Sequence, residues 1–140
     1  VELETRMDDC FVNTHGGDGL VIASSTGSTA YALSCGGPII HPALGAVVIA
    51  PISPHTLSDR PIVVGRESRI EVRLVARSAA RAQITCDGVL LGDLEERSRL
   101  LIGPSSESIT LLHPQGHDYF RLLRSKLHWG RSGRTGGLES

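Results

Sequence analysis

Residues 20–38 read LVIASSTGSTAYALSCGGP, and this stretch decides how the chain is interpreted. The apolar run at residues 20–23 is typical of a short buried strand. Residues 24–29 are rich in hydroxyl groups and predict a loop, and residues 30–35 predict a short helix that residues 36–38 (GGP) end. A strand, a hydroxyl-rich loop and a short helix therefore follow one another directly.

The hydroxyl-rich loop is a candidate ligand site. The first N–H groups of a helix lack partners, and small residues let a ligand approach the backbone, so a phosphate, a ribose or an amide could bind there. Thr26 and Ser28 are also ordinary N-cap candidates. Taken alone, the local pattern favours simple capping slightly over ligand binding.

The rest of the chain predicts a mainly β, β-sandwich-like domain with this one short internal helix. Gly and Pro turns separate short apolar or alternating segments, and no strand–helix–strand rhythm is present. Asp8-Asp9 and Asp87-Gly88 are turn signals. A longer helical stripe is predicted at residues 119–129. Further strands are predicted at residues 1–12 around the first turn, 39–40, 46–50, 70–74, 82–86, 99–102 and 108–112, with 70–74 and 82–86 joined as a hairpin.

Composition narrows the class of protein. The 140 residues are 40% hydrophobic and 21% charged, which are values of a folded domain. A net charge of −1 argues against a dedicated nucleic-acid binder, and no apolar run approaches the ~20 residues of a membrane span. Lys126 is the only lysine, so a phosphate-gripping lysine loop has no candidate. Three widely spaced cysteines form no disulfide framework and favour the cytoplasm: Cys10, Cys35 and Cys86.

The domain organisation follows from the two ends of the chain. Residues 1–4 (VELE) already alternate as a strand does, so we expect a piece of a longer protein whose beginning is missing. Residues 1–130 would form one domain. Residues 131–140 are rich in Gly, Ser and Arg and predict a frayed tail.

Other motifs yield no catalytic or metal-binding residue. Residues 16–19 (GGDG) lack a following helix and are interpreted as a glycine turn between strands. Cys35 is interpreted as a small buried thiol, and His55 as a residue of a rigid loop that bonds backbone. His113 and His117 cannot share a helix face across Pro114 and Gly116, so a metal site there is disfavoured.

Taken together, the motifs resemble the C-terminal domain of bacterial NAD kinases. The resemblance covers DGLVI at 18–22, TGSTAYALS at 26–34 and GGPI at 36–39. It continues with PHTLS at 54–58 and RP at 60–61, and runs on to about residue 129. Residues 26–38 are the most specific part of the match.

The resemblance implies an activity and a two-domain enzyme. NAD kinases phosphorylate the 2′-hydroxyl of the adenosine ribose of NAD, giving NADP, with ATP or inorganic polyphosphate as donor and a divalent metal such as magnesium. NAD lies between an α/β N-terminal domain and a β-rich C-terminal domain, in a homodimer or homotetramer. The catalytic aspartate and an Asn-Glu pair belong to the N-terminal domain. This chain would therefore carry no catalytic residue and would be inactive alone.

The resemblance also implies the NAD-binding residues of this chain. Asp18 resembles the aspartate that contacts the nicotinamide end, often across a subunit interface. The remaining positions belong to the loop and helix: Thr26, Thr29, Ala30, Tyr31, Ala32, Leu33 and Ser34. The chain departs from the family at Ser25, where proline is usual. The absence of that proline should loosen the loop. It also departs at Gly16, where a basic residue is common, and at Val89, where glutamine is common.

Two alternatives remain open at this stage. A related lipid or sphingoid kinase shares the two-domain plan, although the loop at residues 26–34 favours NAD. A non-catalytic β-sandwich that only assembles or regulates is the other alternative, and the strand pattern at residue 1 argues against it.

Overall fold

The structure is a computed structural model that describes residues 1–75 and 81–129. These residues form nine strands, one 3₁₀ helix and two α-helices. The strands are β1 (Glu2–Met7), β2 (Cys10–Gly16), β3 (Gly19–Ser24), β4 (Ala46–Ile52), β5 (Ile62–Gly65), β6 (Ile70–Leu74), β7 (Ala82–Cys86), β8 (Val89–Leu94) and β9 (Arg99–Ile102). The 3₁₀ helix is Thr26–Thr29, and the α-helices are α1 (Tyr31–Ser34) and α2 (Tyr119–Leu127).

Three antiparallel sheets enclose one apolar core. The largest has the order β2-β1-β6-β9, the second has the order β3-β4-β5, and β7 pairs with β8 alone. Each contributes side chains to the same buried cluster, for example Leu3 of β1, Ile49 of β4 and Leu94 of β8. Because alternate residues of a strand face the same side, Ile70 and Val72 of β6 both point into this core. The predicted mainly β, sandwich-like fold is confirmed.

Strand β4 positions the short helix. As the central strand of its sheet, β4 is buried on both faces, which explains its continuous apolar sequence. Ile49 faces the main core, whereas Val48 and Ala50 are 0% exposed and pack in a second cluster with Ala32 of α1. The helix is therefore fixed on the outer face of the β3-β4-β5 sheet.

The predicted hairpin between residues 70–74 and 82–86 is wrong. Both segments are strands, but β6 pairs with β1 and β9, and β7 pairs with β8. Alternation identifies a strand without identifying its partner. Residues 76–80 of the link between the two strands lie outside the described residues. The β7–β8 turn falls at Asp87-Gly88 as predicted, with φ of +48° and +83°.

Other boundaries also differ from the prediction. Neither residues 39–40 nor residues 108–112 form a strand, and β5 and β8 were not predicted. Ile40 is buried, but its N–H bonds the Ser28 hydroxyl instead of a neighbouring strand. Residues 108–112, in contrast, are exposed despite their apolar side chains. Apolar character alone does not make a strand, because a strand also needs a partner edge.

The described residues from Glu107 onward form a second compact unit. Its described element is α2, which is shorter than the predicted helix at residues 119–129. Asp118 caps α2, because its carboxylate accepts hydrogen bonds from the N–H groups of Phe120 at 2.9 Å and Arg121 at 3.2 Å. The helix ends at His128, which has a left-handed φ of +52°. The predicted tail at residues 131–140 lies outside the described residues.

Candidate functional site

The hydroxyl-rich segment forms two consecutive short turns on the outside of the β3-β4-β5 sheet. The 3₁₀ helix Thr26–Thr29 is followed by the single turn of α1. Neither predicted N-cap residue, Thr26 or Ser28, caps a turn with its side chain. The Ser24 hydroxyl instead accepts a hydrogen bond from the Gly27 N–H at 3.3 Å, at the start of the 3₁₀ helix. One turn provides too little dipole for the helix-terminus anion site that the sequence suggested. Gly36 ends α1 with φ of +79°, and its N–H bonds the Leu33 carbonyl at 3.0 Å.

Two serines anchor the turns from below. The Ser28 hydroxyl is 0% exposed, donates to the Ser25 carbonyl at 2.7 Å and accepts from the Ile40 N–H at 3.0 Å. The Ser25 hydroxyl lies 2.5 Å from the Leu44 carbonyl and 3.1 Å from the Ala46 carbonyl. The expectation that Ser25 loosens the loop is therefore wrong, because its hydroxyl is buried and ties the loop to the segment before β4.

The opposite side of the turns faces outward. Thr26, Ala30, Tyr31 and Ser34 are exposed, and Tyr31 has 58% of its surface accessible. Thr29 and Leu33 are half-buried, whereas Ala32 is fully buried beneath the helix. The result is a small exposed face of hydroxyl, methyl and phenol groups on an anchored backbone. We call this face, which comprises Thr26, Thr29, Ala30, Tyr31 and Ser34, the loop face.

Asp18 lies at the other end of β3. The loop face follows the last residue of this strand, while Asp18 precedes its first residue. Six strand residues at about 3.3 Å each separate the two by roughly 20 Å. The structure therefore does not bring Asp18 together with the loop face within one chain.

His55 is a neighbour of Asp18 that the sequence did not assign to the site. Its backbone N–H bonds the Gly16 carbonyl at 2.9 Å, and the Asp18 N–H bonds the Ile52 carbonyl at 2.9 Å. A Cβ added at Gly16 would lie 3.3 Å from His55 Nδ1, so the imidazole lies directly against this turn. The expectation that His55 bonds backbone is confirmed for its main chain. Its proximity to Asp18 has no local sequence signal, because the two residues come from different loops.

A cavity of about 820 Å³ opens beside Asp18. Its wall is mostly apolar and includes Leu20, Leu94 and Ile102, with Asp93 and Arg81 as further charged groups. The β7–β8 hairpin provides one side of this cavity. Asp18, a member of the proposed NAD-binding set, thus borders a cavity of ligand size.

The remaining chemistry-bearing residues that the structure describes form no reactive centre. Desolvation raises the pKa of the Cys35 thiol, which keeps it protonated near neutral pH, but this side chain is half-buried and not fully buried as interpreted from the sequence. The His113 and His117 rings stack with centroids 4.0 Å apart. Within residues 1–75 and 81–129, no three His, Cys, Asp or Glu side chains lie close enough together to hold a metal ion. In the same residues no helix has the length and apolarity to cross a membrane.

Two solved structures share this fold. Yeast NADH kinase complexed with NADH matches 97% of the chain and 40% of its own length, with a TM-score of 0.70 and 26% identity. An NAD kinase from Archaeoglobus fulgidus in complex with ATP matches 75% of the chain and 39% of its own length, with a TM-score of 0.65 and 30% identity. The class is therefore a β-rich domain of the dinucleotide kinases. The family described as the ATP-NAD kinase C-terminal domain matches residues 1–121, and the chain belongs to this family.

Relatives named NAD kinase support the same assignment. The chain is 46% identical over 129 residues to the NAD kinase of Methylococcus capsulatus, covering 92% of this chain and 44% of that protein. It is 49% identical over 129 residues to the NAD kinase of Nitrosospira multiformis, covering 92% of this chain and 43% of that protein. The chain therefore spans less than half the length of these relatives.

Proposed function

We propose that this chain is the dinucleotide-binding domain of an enzyme that phosphorylates the 2′-hydroxyl of the adenosine ribose of NAD, giving NADP. The phosphoryl donor would be ATP or polyphosphate. The observation that carries the proposal is the loop face, an exposed set of small polar groups and one tyrosine on a backbone that two buried serines anchor. Membership of the NAD kinase family and the NADH and ATP in the two solved structures support this choice of ligands.

Each residue of the loop has a proposed part in dinucleotide binding. The exposed hydroxyls of Thr26 and Ser34, with the half-buried Thr29, would hydrogen-bond the ribose and amide groups. Tyr31 would stack on a planar ring or bond through its phenol. The single methyl group of Ala30 would let the ligand approach the backbone. Ala32 and Leu33 would act from below, by holding the turn in position.

Asp18 would serve a dinucleotide held by another copy of the chain. Its carboxylate can accept a hydrogen bond from the N–H of a carboxamide. About 20 Å of β3 separates it from the loop face of its own chain, by the rise of ~3.3 Å per strand residue. A homodimer or homotetramer would bring the Asp18 of one subunit to the loop face of a neighbour.

The phosphoryl transfer itself needs groups that the loop face does not offer. The γ-phosphoryl group of ATP moves to the ribose 2′-oxygen, ADP leaves, and the hydroxyl proton passes to an acceptor. The loop face has hydroxyls but no carboxylate or imidazole. The magnesium implied by the family has no fitting ligand set in the described residues, so no step is assigned to it here. We assign proton removal and phosphate positioning to the rest of the enzyme, and place the enzyme in the cytoplasm because all three cysteines are free thiols.

Replacing Tyr31 tests the loop face in the full-length enzyme. Tyr31→Ala should raise the KM for NAD about fivefold, because an aromatic contact contributes ~1 kcal/mol, and should leave the KM for ATP nearly unchanged. Phe11→Ala is the matched control, since Phe11 is also 58% exposed but lies on β2. Steady-state kinetics with each substrate varied in turn measures both constants. Equal increases for NAD and ATP would show that Tyr31 only packs the helix.

Self-association of the chain tests the proposed assembly. Large apolar side chains are exposed on several strands, and such surface is usually covered by a partner. We expect the apparent mass in light scattering to rise with concentration above the 14.9 kDa of one chain. A constant monomer mass across the concentration series would contradict the proposal. The side chains concerned include Val63, Val89, Leu90, Leu91 and Leu101.

A further inference from the structure

A second, smaller cavity of about 290 Å³ lies between the β1-β2 end of the large sheet and the β3-β4-β5 sheet, and it is partly open where Ser58 and Arg60 are exposed. Apolar residues of β3, β4 and β5 form one wall. The other wall is polar, and we call this space the polar cavity. Its polar lining consists of Thr5, Asn13, His15, Ser58, Asp59 and Arg60.

Two oxygen atoms in this wall have no hydrogen-bond partner among the described residues. One is Thr5 Oγ1, on a side chain that is 1% exposed, and the other is Asp59 Oδ2. They come from different parts of the fold, β1 and the loop between β4 and β5. Folded proteins rarely leave buried polar atoms unpaired, and an ordered water is a common partner where the site is polar and large enough.

The pairing of β2 with β1 is irregular beside this cavity. The register between β1 and β2 shifts after Thr5, since Thr5 lies opposite Asn13 whereas Arg6 lies opposite Phe11. Val12 is therefore the extra residue of a β-bulge, and Val12 also lines the polar cavity. Bulges bend a strand locally and are over-represented next to functional sites.

We propose that the polar cavity is a binding site for ordered water, which bridges Thr5 Oγ1 on β1 to Asp59 Oδ2 on the β4–β5 loop. A volume of about 290 Å³ accommodates several waters at ~30 Å³ each. The water donates to the carboxylate oxygen and exchanges a hydrogen bond with the threonine hydroxyl. A bound metal cation fits less well, because Asp59 is the only carboxylate in the lining and the Arg60 guanidinium lies in the same wall.

The bridge would hold the loop that lies against Asp18. Residues 53–61 connect β4 to β5, and this one loop contains both Asp59 and His55. The His55 N–H bonds the Gly16 carbonyl, next to Asp18. Water between Thr5 and Asp59 therefore ties the outer loop to the large sheet, and the loop in turn supports the Asp18 turn. This inference does not depend on the proposed kinase activity.

A double-mutant cycle on the 140-residue chain tests the bridge. Thr5→Val keeps the side-chain shape and removes the hydroxyl. It should raise the unfolding equilibrium constant about fivefold to tenfold, because the bridging water and Asp59 lose a partner. Thr14→Val is the matched control on the exposed side of β2 and should change that constant less than twofold. The combined Thr5→Val and Asp59→Ala chain should be less destabilised than the product of the two single effects predicts.

Amide hydrogen exchange is a second test, because it reports the opening of one loop, whereas the free energy of unfolding reports on the whole chain. In Thr5→Val, exchange at the His55 N–H should accelerate about tenfold more than exchange in β6, because the loop loses its tie to β1. If Thr5→Val stabilises the chain or leaves its stability unchanged, or if the two substitutions are strictly additive, the bridge is refuted.

The wild-type chain provides a test that does not depend on any variant folding. A high-resolution crystal structure, or nuclear Overhauser contacts to long-lived water, should show water within hydrogen-bond distance of Thr5 Oγ1 and Asp59 Oδ2. Electron density for a cation with short metal–oxygen distances would overturn the proposal, as would a dry cavity or a direct hydrogen bond from the Arg60 guanidinium to Asp59 Oδ2.

Discussion

The purified 140-residue chain is expected to form NADP from NAD and ATP at least about a thousandfold more slowly than the full-length enzyme does. NADP formation by the chain alone should therefore not be measurable. Phosphoryl transfer depends on positioned phosphates and on a group that orients the attacking hydroxyl. The loop face contributes only hydroxyl, methyl and phenol groups. The measurement is NADP formation followed enzymatically, with NAD binding to the same preparation measured in parallel.

Asp18→Asn is the decisive control for this expectation. Asp18 belongs to the GGDG stretch at residues 16–19 and is the one carboxylate of the proposed NAD-binding set. In the structure it lies between β2 and β3, and its N–H is bonded to the Ile52 carbonyl. Robust turnover by the chain that disappears in Asp18→Asn would reverse the assignment and make residues 16–19 the catalytic motif.

Gly17→Ala is expected to destabilise the chain by about 2–3 kcal/mol, because the added methyl group cannot be accommodated. A Cβ at residue 17 would lie 2.7 Å from the Ile52 carbonyl oxygen and 3.1 Å from the Ser53 carbonyl oxygen. Both are backbone atoms of the segment to which Asp18 is hydrogen-bonded, so relief of the contact requires the two loops to separate. Chemical denaturation monitored by circular dichroism gives the free energy of unfolding.

Gly103→Ala is the matched control for Gly17→Ala. No atom lies within 4 Å of a Cβ added at Gly103, so the same substitution should change the free energy of unfolding by less than about 0.5 kcal/mol. A Gly17→Ala chain as stable as Gly103→Ala would contradict the close packing of the Asp18 turn against residues 52–54. Reduced NAD binding in Gly17→Ala alone would further support the proposed role of that turn.

Local patterns in the sequence account for most of the strands and for the family. The alternation of Ile70, Val72 and Leu74 predicts one buried face, and the structure has these residues 2%, 3% and 5% exposed. The turn at Asp87-Gly88 follows from residues that tolerate positive φ. The motif at residues 26–38 indicates the NAD kinase family because its order of hydroxyls, tyrosine and glycines is long and specific. Each of these signals lies within a few neighbouring residues.

Strand pairing was decided by the tertiary structure. The sequence of Ile70–Leu74 does not predict that β6 pairs with β1 and β9 instead of β7, because an alternating strand can pair with many different strand edges. Residues 108–112 have the composition of a strand and remain unpaired for the same reason. Partner choice depends on which apolar faces meet in the common core, and that depends on the whole chain.

Tertiary contacts likewise decided which residues of the hydroxyl-rich loop are buried anchors and which are exposed. Ser25, Thr26 and Ser28 are equivalent polar residues in the sequence, yet Ser25 and Ser28 are buried anchors while Thr26 is exposed. Sequence identified the loop, and the packing of β4 and residues 40–46 beneath it selected the residues that can meet a ligand. Tertiary structure also places His55 against the Asp18 turn, and it places Thr5 and Asp59 on one cavity. Hydrogen bonds and burial depend on distances in space, and the order of residues does not specify those distances.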